Sequence, residues 1–212
     1  MSIPKTVVIG CAGVGSRLGL GQTKALIDIH GKPIIQRQLE MLQHVEDVRI
    51  VVGFQASEVI KTVLAVRKNV TFVFNHDYFH SKTSASVYLA SQNANEHIFT
   101  LDGDVIIHPE DMEECLQAVE PFVGVTSVSS EEAVLVETDF DKAIGFSREA
   151  GDYEWIGPAL LPRDSIHFSP NLHLYEVIEP SLPLKCKVVR SMDIDTMQDY
   201  NLALQRFKEW GL

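Results

Sequence analysis

Cysteine is scarce in this 212-residue sequence, which contains only Cys11, Cys115 and Cys186. An odd number of cysteines without a CxxC pair argues against a disulfide framework and against a structural zinc site. We therefore expect three reduced thiols.

Long apolar runs are absent as well. No stretch approaches the roughly 18 apolar residues of a membrane-spanning helix, and the first residues do not show the pattern of a secretory signal. The sequence therefore predicts a cytoplasmic protein without a membrane partner. With 45% hydrophobic residues, the chain can bury one substantial core, and we expect one domain over residues 1–212.

Cationic residues are few relative to anionic ones. The sequence has 18 Lys and Arg residues against 29 Asp and Glu residues, which gives a net charge of −11. Such an excess of negative charge opposes binding to nucleic acid or to an anionic membrane surface. Any phosphate chemistry must then depend on a few local cations.

Short apolar runs alternate with segments of helical spacing in the first half of the chain. The β-branched runs at 7–9, 48–52, 70–74 and 98–101 are typical of strands buried on both faces. Between them, apolar residues recur at helical spacing, as at Ile35 and Leu39. This alternation predicts βαβ units and a parallel sheet.

The pattern changes beyond residue 104. We predict a helix over 109–119, and then strands over 123–128, 133–137, 142–147 and 153–161 with few helices between them, so the sheet becomes mixed. A last helix is predicted over 196–210, with Asp195 as its N-cap.

A glycine-rich loop, GCAGVGSRLG at residues 10–19, follows the first predicted strand. Glycines at such a place let backbone N–H groups approach a phosphate closely. The loop is not a Walker A motif, because Gly15 is followed by Ser16 and Arg17 rather than by the required lysine. It also departs from the dinucleotide fingerprint, since Leu18 stands where the third glycine belongs.

Two other motif matches carry little weight. Tyr78 and Lys82 spell the YxxxK of short-chain dehydrogenases, but they come too early in the chain for that fold. His76 and His80 have the spacing of a zinc pair without a third ligand or an HExxH pattern.

The glycine-rich loop and the lysine that follows it carry a family resemblance. Residues 12–19, AGVGSRLG, and then Lys24-Ala25-Leu26 resemble the loop of sugar-phosphate and choline-phosphate nucleotidyltransferases, with Thr23 in place of the usual proline. The resemblance extends from Val7 to Phe207 and includes the MobA-like enzymes. It implies a three-layer α/β/α, Rossmann-like (GT-A-like) nucleotidyltransferase fold with a mostly parallel, mixed central sheet.

The resemblance assigns roles to the loop. It implies that Arg17 and Lys24 are catalytic, because fixed cations stabilise the charge that grows on departing pyrophosphate. Nucleotide contacts are implied for four residues of the loop, namely Ala12, Gly13, Gly15 and Ser16.

Two acidic motifs match metal-binding steps of the same family. Asp104 in Leu101-Asp102-Gly103-Asp104 and Asp195 near the last helix correspond to ligands of Mg²⁺, a cation that prefers carboxylate oxygens. Asp102 is implied to lie beside the nucleotide or behind the metal ligands, and Asp193 to support the site from the side. A bound magnesium ion would also explain how an acidic protein accepts a triphosphate.

The base and the acceptor are assigned more loosely. Residues 83–90 resemble the corresponding stretch of choline-phosphate cytidylyltransferases, which implies cytosine as the base and Ser84 as a contact. Lys82 or Arg148 could steady the phosphorus oxyanion of the acceptor. Residues 153–159, with Glu154 and Gly157, lie where the resembling enzymes carry an E-x-x-G step beside the acceptor. A cage of aromatic faces and carboxylates around an ammonium group is the further expectation, built from Tyr153, Trp155, Tyr175 and Glu176.

We therefore predict a magnesium-dependent enzyme that transfers CMP from CTP to phosphocholine, 2-aminoethylphosphonate or a related small acceptor. A sugar-1-phosphate nucleotidyltransferase using UTP or another triphosphate, a nucleotide-binding regulatory module without turnover, and an oxidoreductase are the alternatives. The sequence leaves open whether the protein forms a homodimer.

Overall fold

The computed structural model describes residues 3–15, 21–130 and 133–211. Ser16 and Arg17 lie outside these described residues, so the roles predicted for them remain predictions. No helix in the described ranges is both long enough and apolar enough to cross a membrane.

Strands and helices alternate along the chain as far as residue 117, and strands predominate after it. The strands are β1 (Lys5–Cys11), β2 (Asp28–Ile29), β3 (Lys32–Pro33), β4 (Asp47–Val52), β5 (Thr71–Phe74), β6 (His97–Asp102), β7 (Val105–Ile107), β8 (Phe122–Thr126), β9 (Leu135–Asp139), β10 (Lys142–Ser147), β11 (Tyr153–Pro162), β12 (Leu184–Val188) and β13 (Ser191–Asp193). The α-helices are α1 (Ile34–Met41), α2 (Ala56–Leu64), α3 (Thr83–Ser91), α4 (Pro109–Gln117), α5 (Leu174–Ile178) and α6 (Met197–Glu209).

The main sheet of the described chain has nine strands in the order β5-β4-β1-β6-β11-β8-β12-β10-β9. The first four strands of this order are parallel to one another. The carboxyl ends of β1 and β6, where open α/β proteins bind their ligands, therefore lie side by side.

The second half of the sheet closes on itself. β11 pairs with β8 along one side and with β9 along the other, while β8, β12, β10 and β9 pair in succession. Most of these pairs are antiparallel, and only β8 and β12 run parallel. β11 thus joins the parallel half to a ring of strands.

Helices cover both faces of the parallel strands, which confirms the three-layer α/β/α prediction and the mixed sheet. Alternate residues of β1 point to opposite faces, so Val7 and Ile9 pack in one core cluster with α1, α2 and α4. Val8 packs in a second cluster with α3 and α5. Because both faces are covered, the central residues of these strands are mostly apolar.

The last helix packs on a separate small core. α6 buries Ala203 and Phe207 against Ile27, Ile29 and the antiparallel pair of β7 and β13. This arrangement brings the segment just before α6 back to the end of β6, although about ninety residues separate them in sequence.

The N-cap of α6 is Thr196, so the prediction of Asp195 in that position is wrong. Thr196 has an extended backbone, and its hydroxyl accepts a hydrogen bond from the backbone N–H of Asp199 at 3.2 Å. The Asp199 carboxylate accepts in return from the Thr196 N–H at 2.8 Å. This reciprocal capping box leaves the side chain of Asp195 available for another contact.

The capping box gives a first prediction. Thr196→Ala should lower the free energy of unfolding by about 1 kcal/mol, because the N–H of Asp199 loses its acceptor. Thr196→Ser keeps the hydroxyl and serves as the control. Urea unfolding of the two variants measures the difference, and equal stability of Thr196→Ala and the wild type would contradict the assignment.

Candidate active site

The glycine-rich loop after β1 and the acidic turn after β6 touch directly. The backbone N–H of Gly103 donates a hydrogen bond to the carbonyl oxygen of Gly10 at 2.9 Å. A Cβ atom on residue 103 would lie 2.7 Å from that same oxygen, so no side chain fits there. Asp102 and Asp104, on either side of Gly103, are thereby held at the base of the loop.

A cleft of about 870 Å³ opens over this contact. One side consists of Gly13, Gly15 and Lys24, and the other of Glu154 and Trp155 on β11. Four aspartates also line the cleft. Asp102 ends β6 and Asp104 follows it, while Asp193 ends β13 and Asp195 follows it.

Lys24 joins the two aspartates predicted to bind metal. Its Nζ lies 2.7 Å from Oδ2 of Asp104 and also donates to Oδ1 of Asp195. The three side chains are only 18%, 22% and 31% exposed, respectively. Burial by itself would lower the pKa of Lys24, but the charges and hydrogen bonds of Asp104 and Asp195 outweigh it and raise that pKa. Lys24 is therefore firmly cationic.

The remaining two aspartates of the cleft are harder to ionise. Burial raises the pKa of Asp102 to about 7, and the charges of Asp104 and Asp193 add to the effect while Lys24 opposes it. Burial also raises the pKa of Asp193 to about 6, together with the charges of Asp104, Asp195 and Glu154. The site thus holds more negative charge than Lys24 alone can balance.

Asp104 and Asp195 suit a hard divalent cation. Their carboxylate oxygens come from distant parts of the chain and converge on the one position where the Lys24 ammonium now stands. Mg²⁺ needs only one or two protein carboxylates when phosphates and water complete its shell. The described residues contain no group of three or more His, Cys, Asp or Glu side chains that could form a metal cage, so a ligand would have to supply the rest.

A small side pocket of about 100 Å³ adjoins the cleft. Gly10, Gly13, Lys82 and Asp102 line both, so the side pocket and the cleft are continuous. Ala12 lines the side pocket, as do Asn75 and Tyr78, which the sequence analysis did not assign; their only signal was a polar segment directly after a strand.

Asn75 orders the polar end of this pocket. Its side-chain Nδ2 donates to the hydroxyls of Ser81 and Ser86 at 2.9 and 3.1 Å. Its Oδ1 accepts from the backbone N–H of Asp77 at 3.1 Å. The loop between β5 and α3 is therefore fixed around the pocket.

The predicted contact between Ser84 and the nucleotide is wrong. Ser84 is fully buried, and its hydroxyl contacts the carbonyl oxygens of Ser169 and Leu172. It therefore joins α3 to the segment before α5. Thr83 and Ser86, its neighbours on the helix, face the side pocket instead.

The aromatic cage expected from the sequence is also wrong, since only Trp155 of its four members lines the cleft. Tyr153 packs against the second core cluster. Tyr175 stacks on His173 with ring centroids 5.8 Å apart. Glu176 accepts a hydrogen bond from the backbone N–H of His173 at 2.6 Å and so caps α5.

Two further acidic residues line the cleft, Glu154 and Asp193, and both belong to motifs that the resemblance places at the site. Glu154 is a buried carboxylate within the otherwise apolar strand β11, and that interruption was a usable signal. Asp193 stands on β13, a strand too short to be recognised from its sequence pattern. Lys82, in contrast, lines both the cleft and the side pocket, as its predicted role requires.

Comparison with known proteins agrees with this geometry. The model of the MobA-like NTP transferase domain matches residues 7–163. The chain belongs to this family. This MobA-like NTP transferase is also 26% identical over 200 residues to the CMP-5′-(3-aminopropyl)phosphonate synthase of Streptomyces rubellomurinus. The match covers 85% of this chain and 31% of that protein. It thus spans about a third of the length of that relative.

Solved structures show the same fold. The inositol-1-phosphate CTP transferase of T. maritima has a TM-score of 0.80 at 17% identity, covering 99% of this chain and 98% of that one. The CTP:phosphocholine cytidylyltransferase of Streptococcus pneumoniae has a TM-score of 0.76 at 19% identity, covering 97% of this chain and 100% of that one. A putative glucose-1-phosphate thymidylyltransferase of Bacillus anthracis has a TM-score of 0.80 at 16% identity, covering 95% of this chain and 94% of that one. At these identities the similarity establishes the MobA-like fold and not the substrate.

The contact of Lys24 with two aspartates gives a second prediction. Lys24→Met should lower the free energy of unfolding by about 2 kcal/mol, because two neighbouring carboxylates lose their shared cation. This figure lies between the losses typical of exposed and of buried ion pairs. Mn²⁺ without nucleotide should then raise the melting temperature of Lys24→Met more than that of the wild type, since metal and ammonium compete for the same oxygens.

Lys32→Met is the matched control, because Lys32 pairs with Glu40 on the surface at 2.6 Å. It should not change the response to Mn²⁺. If Lys24→Met and the wild type show the same metal-dependent shift, Asp104 and Asp195 do not form a cation site.

Proposed function

We propose that the protein transfers CMP from CTP to a small phosphorylated or phosphonate acceptor and releases pyrophosphate. The observation that carries this proposal is the convergence of Lys24, Asp104 and Asp195 beside the glycine-rich loop. Family membership supports nucleotidyl transfer as the reaction class. The relative from Streptomyces supports CMP as the transferred group and a phosphonate as the acceptor.

In this proposal the nucleotide spans the two connected cavities. The base occupies the side pocket of about 100 Å³ beyond Gly10 and Gly13. The triphosphate then extends along the backbone of the glycine-rich loop towards Lys24. Loop N–H groups and the lysine ammonium complement its negative charge.

The chemistry needs alignment and charge stabilisation more than proton transfer. An oxygen of the acceptor attacks the α-phosphorus, the bond to the bridging oxygen breaks, and pyrophosphate leaves. Phosphate and phosphonate oxygens are already anionic near neutral pH, so no general base is required. Lys24 lies where it can stabilise the charge that develops on pyrophosphate, and Lys82 can hold the acceptor oxyanion.

Asp104 and Asp195 would hold magnesium in this proposal. The ion would supply positive charge opposite the phosphates, which an acidic protein otherwise lacks. Removal of divalent cations with EDTA should therefore abolish turnover and weaken CTP binding.

A sugar-1-phosphate nucleotidyltransferase is the second candidate, because a thymidylyltransferase has the same fold. A pyrophosphate-release assay that crosses CTP, UTP, GTP and ATP with aminoalkylphosphonates, phosphocholine and sugar-1-phosphates separates the two. We expect turnover with CTP and a small phosphonate or phosphocholine. Preference for UTP with a sugar-1-phosphate would overturn the proposal, and absence of turnover with every pair would favour a non-catalytic nucleotide-binding module.

The metal role of Asp104 gives a further prediction. Asp104→Asn should lower kcat by about 100-fold or more, because one carboxylate of the cation site loses its charge. Glu40→Gln is the control, since Glu40 also pairs with a lysine but lies on the surface. Near wild-type kcat for a folded Asp104→Asn, checked by circular dichroism, would contradict the role.

A further inference from the structure

Gln38 is a polar side chain on the core-facing side of a helix. It lies on α1 one turn after Ile34 and Ile35, and only 1% of its surface is exposed. Residues three and four apart share one face of a helix, so Gln38 stands where an apolar residue would extend the buried stripe. A buried amide at such a position needs hydrogen-bond partners to offset its loss of hydration.

The partners of Gln38 are the two ends of the acidic turn after β6. Its Nε2 donates to the carbonyl oxygen of Asp102 at 2.8 Å and to that of Val105 at 2.7 Å. Because both neighbours are acceptors, the amide atom that contacts them must be the nitrogen. The two contacts enclose Gly103 and Asp104, so they hold the backbone on both sides of a proposed metal ligand.

The oxygen of the same amide has no partner. Oε1 of Gln38 is sealed from solvent and accepts no hydrogen bond within the described part of the chain. The gain from two neutral hydrogen bonds and the loss from one unpartnered buried acceptor are similar in size. Stability alone therefore does not account for a glutamine at this position.

The acidic turn is also where the chain passes from one sheet to another. β6 belongs to the nine-stranded sheet, whereas β7 pairs with β13 in a separate two-stranded sheet. In that pair Val105 lies opposite Asp193, two residues before Asp195. Gln38 therefore contacts the strand position whose partner leads directly to the second proposed metal ligand.

We propose that Gln38 is a positioning residue that sets the separation of the Asp104 and Asp195 carboxylates for a divalent cation. This inference rests on the metal site of the proposed function and adds a residue that does not itself line the cleft. Gln38 acts through the backbone that carries the ligands. Removal of groups that orient metal ligands typically weakens metal binding by about 10- to 100-fold.

The first experiment measures Mn²⁺ binding without nucleotide, from the loss of the free Mn²⁺ signal in electron paramagnetic resonance. Gln38→Met keeps a side chain of similar length and removes both hydrogen bonds. The dissociation constant of this variant for Mn²⁺ should exceed that of the wild type by about 10- to 100-fold. Equal dissociation constants, or no Mn²⁺ binding by the wild type, would overturn the inference.

Gln36→Met is the matched control. Gln36 lies on the same helix, and its Nε2 also donates to a backbone carbonyl oxygen, that of Thr62 at 3.0 Å, away from the cleft. A residue that only stabilises the fold changes the fraction of folded protein and not the affinity of the folded protein. Both variants should therefore melt at a lower temperature, but only Gln38→Met should bind Mn²⁺ more weakly. An equal loss of affinity in Gln36→Met would overturn the positioning role.

A wild-type measurement decides the matter even if Gln38→Met does not fold. The side-chain amide groups of Gln36 and Gln38 each give a pair of signals in a heteronuclear NMR spectrum. Addition of Mg²⁺ should shift the signals of Gln38 and leave those of Gln36 in place, because only Gln38 contacts the carbonyl oxygens beside Asp104. Gln38 signals that do not move at saturating Mg²⁺ would contradict the proposal.

The outcomes separate this inference from the proposed function. Metal binding is measured without CTP, so weaker Mn²⁺ binding by Gln38→Met supports the positioning role even if CTP is not turned over. CTP turnover by the wild type, with equal Mn²⁺ affinity in Gln38→Met, would overturn the positioning role and leave CMP transfer intact. In the pyrophosphate-release assay, Gln38→Met should need about 10- to 100-fold more Mg²⁺ for half of its maximal rate. An unchanged Mg²⁺ requirement would count against the inference.

Discussion

The arrangement of the site depends on how negative charge is balanced at the carboxyl end of the sheet. Asp102, Asp104, Asp193 and Asp195 line one cleft in a chain whose net charge is already −11. Burial first, and then the neighbouring negative charges, raise the pKa values of Asp102 and Asp193. Lys24 offsets part of this repulsion by contacting Asp104 and Asp195 together.

The backbone makes this concentration of carboxylates possible. Gly103 brings the β6 turn against the carbonyl oxygen of Gly10, a contact that a side chain would prevent. On the opposite side, β11 has an irregularity at Gly157, whose φ is +99°, and a Cβ atom there would clash with the carboxylate of Asp102. Gly10 on β1 and Gly157 on β11 are thus the two glycines against which the Asp102 side chain lies.

The two halves of the sheet contribute different parts of the cleft. The parallel strands end at the glycine-rich loop and the aspartates, which suit a metal ion and a triphosphate. β11 leaves β6 for the ring of strands and carries Glu154 and Trp155 to the far side of the cleft. The residues proposed to bind the nucleotide and those that the family resemblance places beside the acceptor thus belong to different halves of the sheet.

The sequence by itself determined the layered fold, the glycine-rich loop and the candidate residues Lys24, Asp104 and Asp195. Hydrophobic periodicity and motif spacing are local properties, and buried strands and phosphate loops follow from them directly. It also suggested Ser84 and an aromatic cage, because the pattern of residues shows composition but not which way a side chain points.

The tertiary structure alone decided what each side chain contacts. Thr196 rather than Asp195 caps α6, which leaves Asp195 to bind Lys24 across 171 positions of sequence. The hydroxyl of Ser84 turns inwards, and Glu154 emerges in the cleft because β11 leaves the parallel sheet. Such contacts depend on strand order and on which face of an element is covered, and both are set by packing between segments far apart in the chain.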